Sequence, residues 1–251
     1  MVMKKVYERN NIALDMPSPY CPGCGHGIIH RLVMDAIKDV GQEDNTIFMA
    51  PVGCSILAYT YLDLDVCQPA HGRTPAAATG IKRSLPDSLV VLYQGDGDLA
   101  AIGTAEIVHA VNRGENITAV FVNNAIYGMT GGQMAPTTLE GQRATTCPEG
   151  RDPMSGQGYP IRVCELLQSL RGLYYAARTS VHDAKNVLKT KKAIKKGIEN
   201  QMAKKGFSFI EVLSPCPVNW GMTPQKAIAH VEKEMAAYYP LGEFKVDGKI
   251  V

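Results

Sequence analysis

Residues 89–124 read LVVLYQGDGDLAAIGTAEIVHAVNRGENITAVFVNN, and this stretch decides the fold. Leu89–Tyr93 is a short, fully apolar, β-branched run, which suits a buried strand. Gly95-Asp96-Gly97-Asp98 then makes a tight turn. Leu99–Val111 has helical spacing and is closed by Arg113-Gly114. Ile117–Val122 is a second apolar strand, followed at once by Asn123-Asn124. Strand, helix and strand in 36 residues make a βαβ unit, and strands without a polar face are covered on both sides.

The pattern continues in both directions. Gly25–Val40 reads as a helix with Gly41 at its C-terminal end, and Thr46–Ala50 as a strand stopped by Pro51. Pro75–Leu85 reads as a helix. Beyond the central unit, 123–160 is rich in Gly, Thr and Pro and too long for a plain connection, so it belongs to function or carries short structure. Ile161–Leu170 reads as a helix and Leu173–Ala177 as a strand. Asp183–Lys204 is a lysine-rich helix with an apolar stripe at Val187, Ile194, Ile198 and Met202. Phe207–Leu213 reads as a strand, Pro224–Tyr238 as the last helix, and 240–251 as an irregular tail. Alternating elements of this kind build an α/β fold, a doubly wound, mostly parallel sheet. Ligands bind such sheets at the carboxyl ends of the strands.

Composition narrows the function. The chain has 251 residues, 45% hydrophobic and 20% charged, with net charge +2. These values exclude a disordered chain, a collagen-like repeat and a disulfide scaffold, and give no basic excess for nucleic acid. No apolar run reaches the ~18–20 residues of a membrane span, and MVMKKVYERN has no apolar core of a signal peptide behind its lysines. A cytoplasmic protein is expected. Its seven cysteines are then read as ligands or buried thiols before disulfides.

Two constellations carry chemistry. The first is the strand-end pair Asp96 and Asn124. An Asp in a glycine turn before a helix N-terminus offers a hard oxygen and free N–H groups, which suits Mg²⁺ and phosphate. An Asn side-chain oxygen at the next strand end completes the same site. The span from Gly95 to Asn124 resembles the shared motif of thiamine diphosphate enzymes, which opens with GDG and closes with NN. By that resemblance Asp96, Asn124 and the backbone carbonyl of Ile126 hold Mg²⁺. The second constellation is Cys21, Cys24, Cys54 and Cys216: a C-x₂-C pair before a helix and two cysteines after strands. Alone, these residues leave open a [4Fe–4S] cluster, a zinc site or a redox disulfide.

Taken together, the motifs resemble the β subunit of the 2-oxoacid:ferredoxin oxidoreductases, most closely the 2-oxoisovalerate/2-oxoglutarate group. The matching stretches are YCPGCGHGIIHRL (20–32), APVGCS (50–55), AHGRTPAAATGIKR (70–83), the GDG…NN motif running into AIYGMTGGQ (125–133), and SPCP (214–217). The resemblance implies one thiamine diphosphate-binding fold, the diphosphate-binding domain, over residues 1–251. It implies that the four cysteines hold a [4Fe–4S] cluster. It places Val52, Gly53, Cys54, Ser55, His71, Gly97, Asp98, Gly128 and Met129 against thiamine diphosphate. Cys67, Cys147 and Cys164 receive no role.

The implied reaction is the coenzyme A-dependent oxidative decarboxylation of a 2-oxoacid to acyl-CoA and CO₂, with electrons leaving through the cluster to ferredoxin. No residue of this chain is assigned as the activating glutamate, which the resemblance places on an α subunit with a pyrimidine-binding domain. Further γ and δ subunits are expected. Ile56, Leu57 and Met129 would make one apolar pocket wall, and Gly131 stands where some relatives carry Lys. Both favour a branched-chain 2-oxoacid such as 2-oxoisovalerate over 2-oxoglutarate or pyruvate. The rival readings are a thiamine decarboxylase subunit without a cluster and a zinc-bound structural subunit.

Overall fold

A computed structural model of the chain describes residues 8–251. The first seven residues, on which part of the N-terminal reading rests, lie outside the described residues. Its centre is one eight-stranded sheet in the order β2-β1-β3-β4-β6-β5-β7-β8. The strands are β1 (Thr46–Met49), β2 (Asp65–Cys67), β3 (Leu89–Gly95), β4 (Thr118–Asn123), β5 (Leu173–Ser180), β6 (Phe207–Leu213), β7 (Gly242–Val246) and β8 (Lys249–Ile250). Pairings among β1–β6 are all parallel; β7 and β8 pair antiparallel.

Successive side chains of a strand point to opposite faces, and the core divides accordingly. Val91 and Tyr93 of β3 face the layer of α1 (His26–Asp39) and α5 (Ala184–Met202). Val90 and Leu92 face the opposite layer, α2 (Thr74–Ser84), α3 (Thr104–Asn112) and α4 (Val163–Gln168). Both faces being covered explains why the central strands carry no polar alternation. The side chain of Asp183 caps α5, accepting from Asn186 N at 2.6 Å.

Several sequence expectations need correction. The tail expected to be irregular forms β7 and β8, because Phe244 packs on the core and buried Lys245 donates to the carbonyls of Gln168 and Leu170 at the end of α4. A short strand, β2, follows a 3₁₀ segment (Cys54–Thr60) that had no periodic signal. The helix after the glycine turn begins at Asp96 as a π turn (Asp96–Ile102) rather than at Leu99. In α5, Met202 of the expected stripe is exposed. Its inner face is instead completed by small and polar residues, among them Thr190, Gly197 and Gln201.

The parallel register brings four chemically marked segments to one edge. They follow β1, β3, β4 and β6, which are consecutive neighbours in the sheet. The loop before α1 joins them: Gly25 N donates to Pro215 O at 3.1 Å, tying Cys24 to the segment that carries Cys216.

Candidate functional site: a cleft at the strand ends

A cleft of about 640 Å³ opens at this edge. It is lined by every residue expected at the cofactor or at Mg²⁺: Val52–Ser55, His71, Asp96, Gly97, Asp98, Asn124, Ile126, Gly128 and Met129. It also brings in His26, Ile102 and Tyr127, which the sequence did not mark. Ile56 and Leu57 do not line it; its apolar walls include Ile102 and Met129, about half exposed.

Asp96, at the end of β3, is buried, and burial pushes its carboxyl up to about 7 against the hydrogen bond from Thr137. Asn124, at the end of β4, turns its side-chain amide toward Asp96 Oδ1 at 3.1 Å and Ile126 O at 2.7 Å. An amide so placed can donate its N–H₂ to these two oxygens or, turned over, present its own oxygen beside them to a cation. Oxygens sharing an edge of an octahedron with ~2.1 Å arms stand about 3 Å apart, the geometry Mg²⁺ demands. The donor set therefore fits Mg²⁺.

Asp98 lines the cleft, but its side chain is engaged elsewhere. Its carboxylate is wholly occupied by four donors: His71 Nδ1 at 2.8 Å, Gly72 N at 2.6 Å, Thr74 Oγ1 at 2.9 Å and Gln94 Nε2 at 2.7 Å. An anion has no room on that side chain, nor reason to meet its charge. Its work is to fix His71 and the 71–74 turn; toward the cleft it offers its backbone.

The four thiols converge on the neighbouring corner. A Cβ built on Gly128 would stand 3.2 Å from Cys54 Sγ and 3.7 Å from Cys216 Sγ, so this glycine keeps the space between them. Burial pushes the Cys24 thiol up to about 12, and the nearby Cys216, Cys54 and Cys21 add to the shift. Cys54 is pushed up to about 11, by burial first and then by Cys216, Cys21 and Asp96. Thiols that raise one another in this way need a positive group to become thiolates. Among the described residues no three His, Cys, Asp or Glu side chains close tightly enough on one point for a metal ion. Four thiols gathered at one corner are the donor set of a [4Fe–4S] cluster or of a zinc ion. Asn219, one turn after Cys216, donates to its sulfur at 3.5 Å and to Gly128 O at 3.0 Å.

Beneath the cysteines, His26 Nδ1 meets Tyr93 Oη at 2.7 Å, and Tyr20 stacks on the His26 ring at 4.8 Å. Cys164 and Cys147 are buried away from the cleft lining, and all seven thiols are free. Of the contributors missed in the sequence, Asn219 had a signal, its i+3 spacing from Cys216. Thr137 sits in the aperiodic 123–160 stretch and had none.

Comparison with known proteins agrees with this geometry. Residues 51–212 match the family model for the C-terminal TPP-binding domain of thiamine pyrophosphate enzymes. Ketoisovalerate oxidoreductase subunit VorA of Methanothermobacter thermautotrophicus is 46% identical over 96% of this chain and 50% of its own length. The 2-oxoglutarate synthase subunit KorB of Methanocaldococcus jannaschii is 40% identical over 82% of this chain and 72% of its own. A solved 2-oxoglutarate:ferredoxin oxidoreductase of Magnetococcus marinus superposes with a TM-score of 0.72 at 30% identity, covering 83% of this chain and 67% of that one. The chain spans about half the length of the ketoisovalerate relative it matches. With the strand-end oxygens, the four thiols and these likenesses in agreement, the chain belongs to the thiamine pyrophosphate-binding β subunits of the 2-oxoacid:ferredoxin oxidoreductases.

Proposed function

We propose that this chain binds Mg²⁺, thiamine diphosphate and a [4Fe–4S] cluster within a coenzyme A-dependent 2-oxoacid:ferredoxin oxidoreductase. The observation that carries the reading is the position of Cys54. It lines the cleft together with Asp96, and only the space kept by Gly128 separates its sulfur from that of Cys216. One turn of chain thus joins a diphosphate site to a cluster site.

Thiamine diphosphate, when bound, supplies the carbon nucleophile that 2-oxoacid decarboxylation needs. The residues of this chain hold and surround it. Asp96, Asn124 and Ile126 O would hold Mg²⁺, whose charge would offset that of the diphosphate. The N–H groups of Gly97 and Asp98, at the start of the π turn, and the Gly128–Met129 turn would meet the phosphates. His71, held by Asp98, faces the same cleft. Val52–Ser55 would lie against the thiazolium part, and Cys21, Cys24, Cys54 and Cys216 would hold the cluster. Held in part by Cys54, a cluster would lie beside the cleft and would supply the one-electron chemistry that ferredoxin reduction needs.

The activating Glu would come from a partner subunit. An α subunit with a pyrimidine-binding domain would cover the mouth, with γ and δ subunits completing a cytoplasmic assembly. The cleft lining holds no Lys or Arg, and Ile102 and Met129 are apolar. That favours an uncharged branched side chain, and 2-oxoisovalerate is the proposed substrate over 2-oxoglutarate. The test is an anaerobic assay of the assembled subunits with coenzyme A and ferredoxin, comparing kcat/KM for the two acids. A preference for 2-oxoglutarate would refute the substrate assignment, and ferredoxin reduction by neither acid would refute the activity.

A further inference from the structure

The turn that presents Asn124 and Ile126 contains a strained residue. Ala125 lies between them, wholly buried, with φ at +55°. A residue with a Cβ takes that conformation only where its surroundings impose it. Here they do. Asn123 Oδ1 accepts from Ala125 N at 3.1 Å, while Ala125 O accepts from Thr138 Oγ1 at 2.7 Å and Gln142 Nε2 at 3.1 Å.

The Asn123 contact continues inward as a chain of buried groups. Asn123 Nδ2 donates to Glu211 Oε1 at 2.8 Å, and Arg178 Nε donates to Glu211 Oε2 at 2.9 Å. Arg178 also donates to Glu165 with both terminal nitrogens, at 3.0 and 2.5 Å, and to Pro240 O at 3.3 Å. Its guanidinium lies near the Tyr239 and Phe244 rings at 5.3 and 4.8 Å. Asn123, Glu211 and Arg178 are all nearly inaccessible. A buried ion pair is weak evidence for stability, since apolar residues of the same shape often serve as well. What apolar residues would not do is hold Asn123 with its oxygen on Ala125 N–H.

We propose that Arg178, Glu211 and Asn123 are positioning residues for the divalent cation. They lock the 123–126 turn in the left-handed shape that aims the Asn124 amide oxygen and the Ile126 carbonyl at one point. The proposal rests on the reading of Asp96, Asn124 and Ile126 as the Mg²⁺ site. It also links the C-terminal segment, through Pro240, Tyr239 and Phe244, to metal affinity.

The test uses the assembled protein stripped of metal and thiamine. Mg²⁺ is titrated calorimetrically in the presence of saturating thiamine diphosphate, and the Mn²⁺ electron paramagnetic resonance signal counts bound ion. Asn123→Ala should weaken the ion roughly 10- to 100-fold, the range seen when a partner of a metal ligand is removed. In an Ala125→Gly background the same substitution should weaken it less than about threefold, because glycine holds the left-handed turn without a clamp. Equal losses in the two backgrounds would overturn the proposal, since a merely structural defect at Asn123 would be indifferent to residue 125. Should Asn123→Ala not fold, Glu211→Gln keeps the shape while removing the charge, and unchanged Mg²⁺ affinity in that variant would overturn the proposal equally. Failure of the unmodified protein to bind Mg²⁺ with thiamine diphosphate would instead strike down the site reading itself.

Discussion

Replacing Asp98 with Asn tests how the 71–74 turn is held. The carboxylate accepts two hydrogen bonds on each oxygen: His71 Nδ1 and Gly72 N on Oδ1, Thr74 Oγ1 and Gln94 Nε2 on Oδ2. An amide keeps one acceptor and turns the other into a donor. The Oδ2 side tolerates this. Thr74 can rotate its hydroxyl to accept, and Gln94 has an unpartnered buried Oε1 that an amide flip would bring to the new NH₂. The Oδ1 side then stays intact, and what is lost is the charge behind the bonds. Losing charge assistance with the bonds kept amounts to about 1–2 kcal/mol. Asp98→Leu removes all acceptors and strands at least two buried donors at about 1–3 kcal/mol each, and so should lose about 4 kcal/mol or more. Urea unfolding of the apoprotein measures both. Thiamine diphosphate should still bind Asp98→Asn, more weakly as His71 loosens. Equal destabilisation by Asn and Leu would refute the four-donor account. So would a loss of thiamine diphosphate binding in Asp98→Asn as complete as in Asp96→Ala, since that would make Asp98 a direct ligand.

Other outcomes follow from the same geometry. Cys54→Ala should abolish the cluster's visible absorption and ferredoxin reduction; full ferredoxin reduction without this thiol would remove Cys54 from the ligand set. Gly72→Ala should destabilise by more than about 2 kcal/mol in urea titrations, because φ is +78° and the new Cβ would stand 2.3 Å from Ile102 Cγ2 and 2.9 Å from Gly103 N. His30 is buried, which with the nearby His26 lowers its pKa to about 3, whereas an unfolded histidine titrates near ~6.5. Between those values the unfolded chain binds the extra proton, so stability is full above about pH 6.5 and falls as pH drops toward 3. His30 contributes at most about 1.4 kcal/mol per pH unit to that slope. His30→Leu should flatten urea midpoints measured from pH 8 to 5, and an unaltered slope would show that His30 is not the group responsible.

The central sheet was legible because β3, β4 and β6 are continuous apolar runs, and a strand covered on both faces has that signature. The meeting of Asp96 and Asn124 was legible for a related reason: they follow two neighbouring strands, so topology alone brings them together. Cys24 and Cys216 are 192 positions apart and came together only through the resemblance; the physical cause, Gly25 docked on Pro215, has no local signal. Local pattern also hid β2, three residues long, and β7, whose Lys245 is buried against helix-end carbonyls. That the Asp98 side chain holds the 71–74 turn was not legible, because its four donors come from segments up to 27 positions away. The π turn that sets the direction of the two carboxylates has no signal in composition. The clamp on Ala125 joins β4, β5, β6 and the C-terminal segment, and no sequence window contains it.

The central claim is that one chain carries both a thiamine diphosphate site and a cluster site joined at Cys54. The most direct measurement is anaerobic purification, followed by iron, sulfide, zinc, magnesium and thiamine analysis and a visible spectrum on one sample. The account predicts about four irons per chain, absorption that bleaches with dithionite, and thiamine diphosphate with magnesium in equal amount. Zinc without thiamine would contradict it in favour of a structural subunit, and thiamine without iron in an oxygen-free preparation would contradict the cluster.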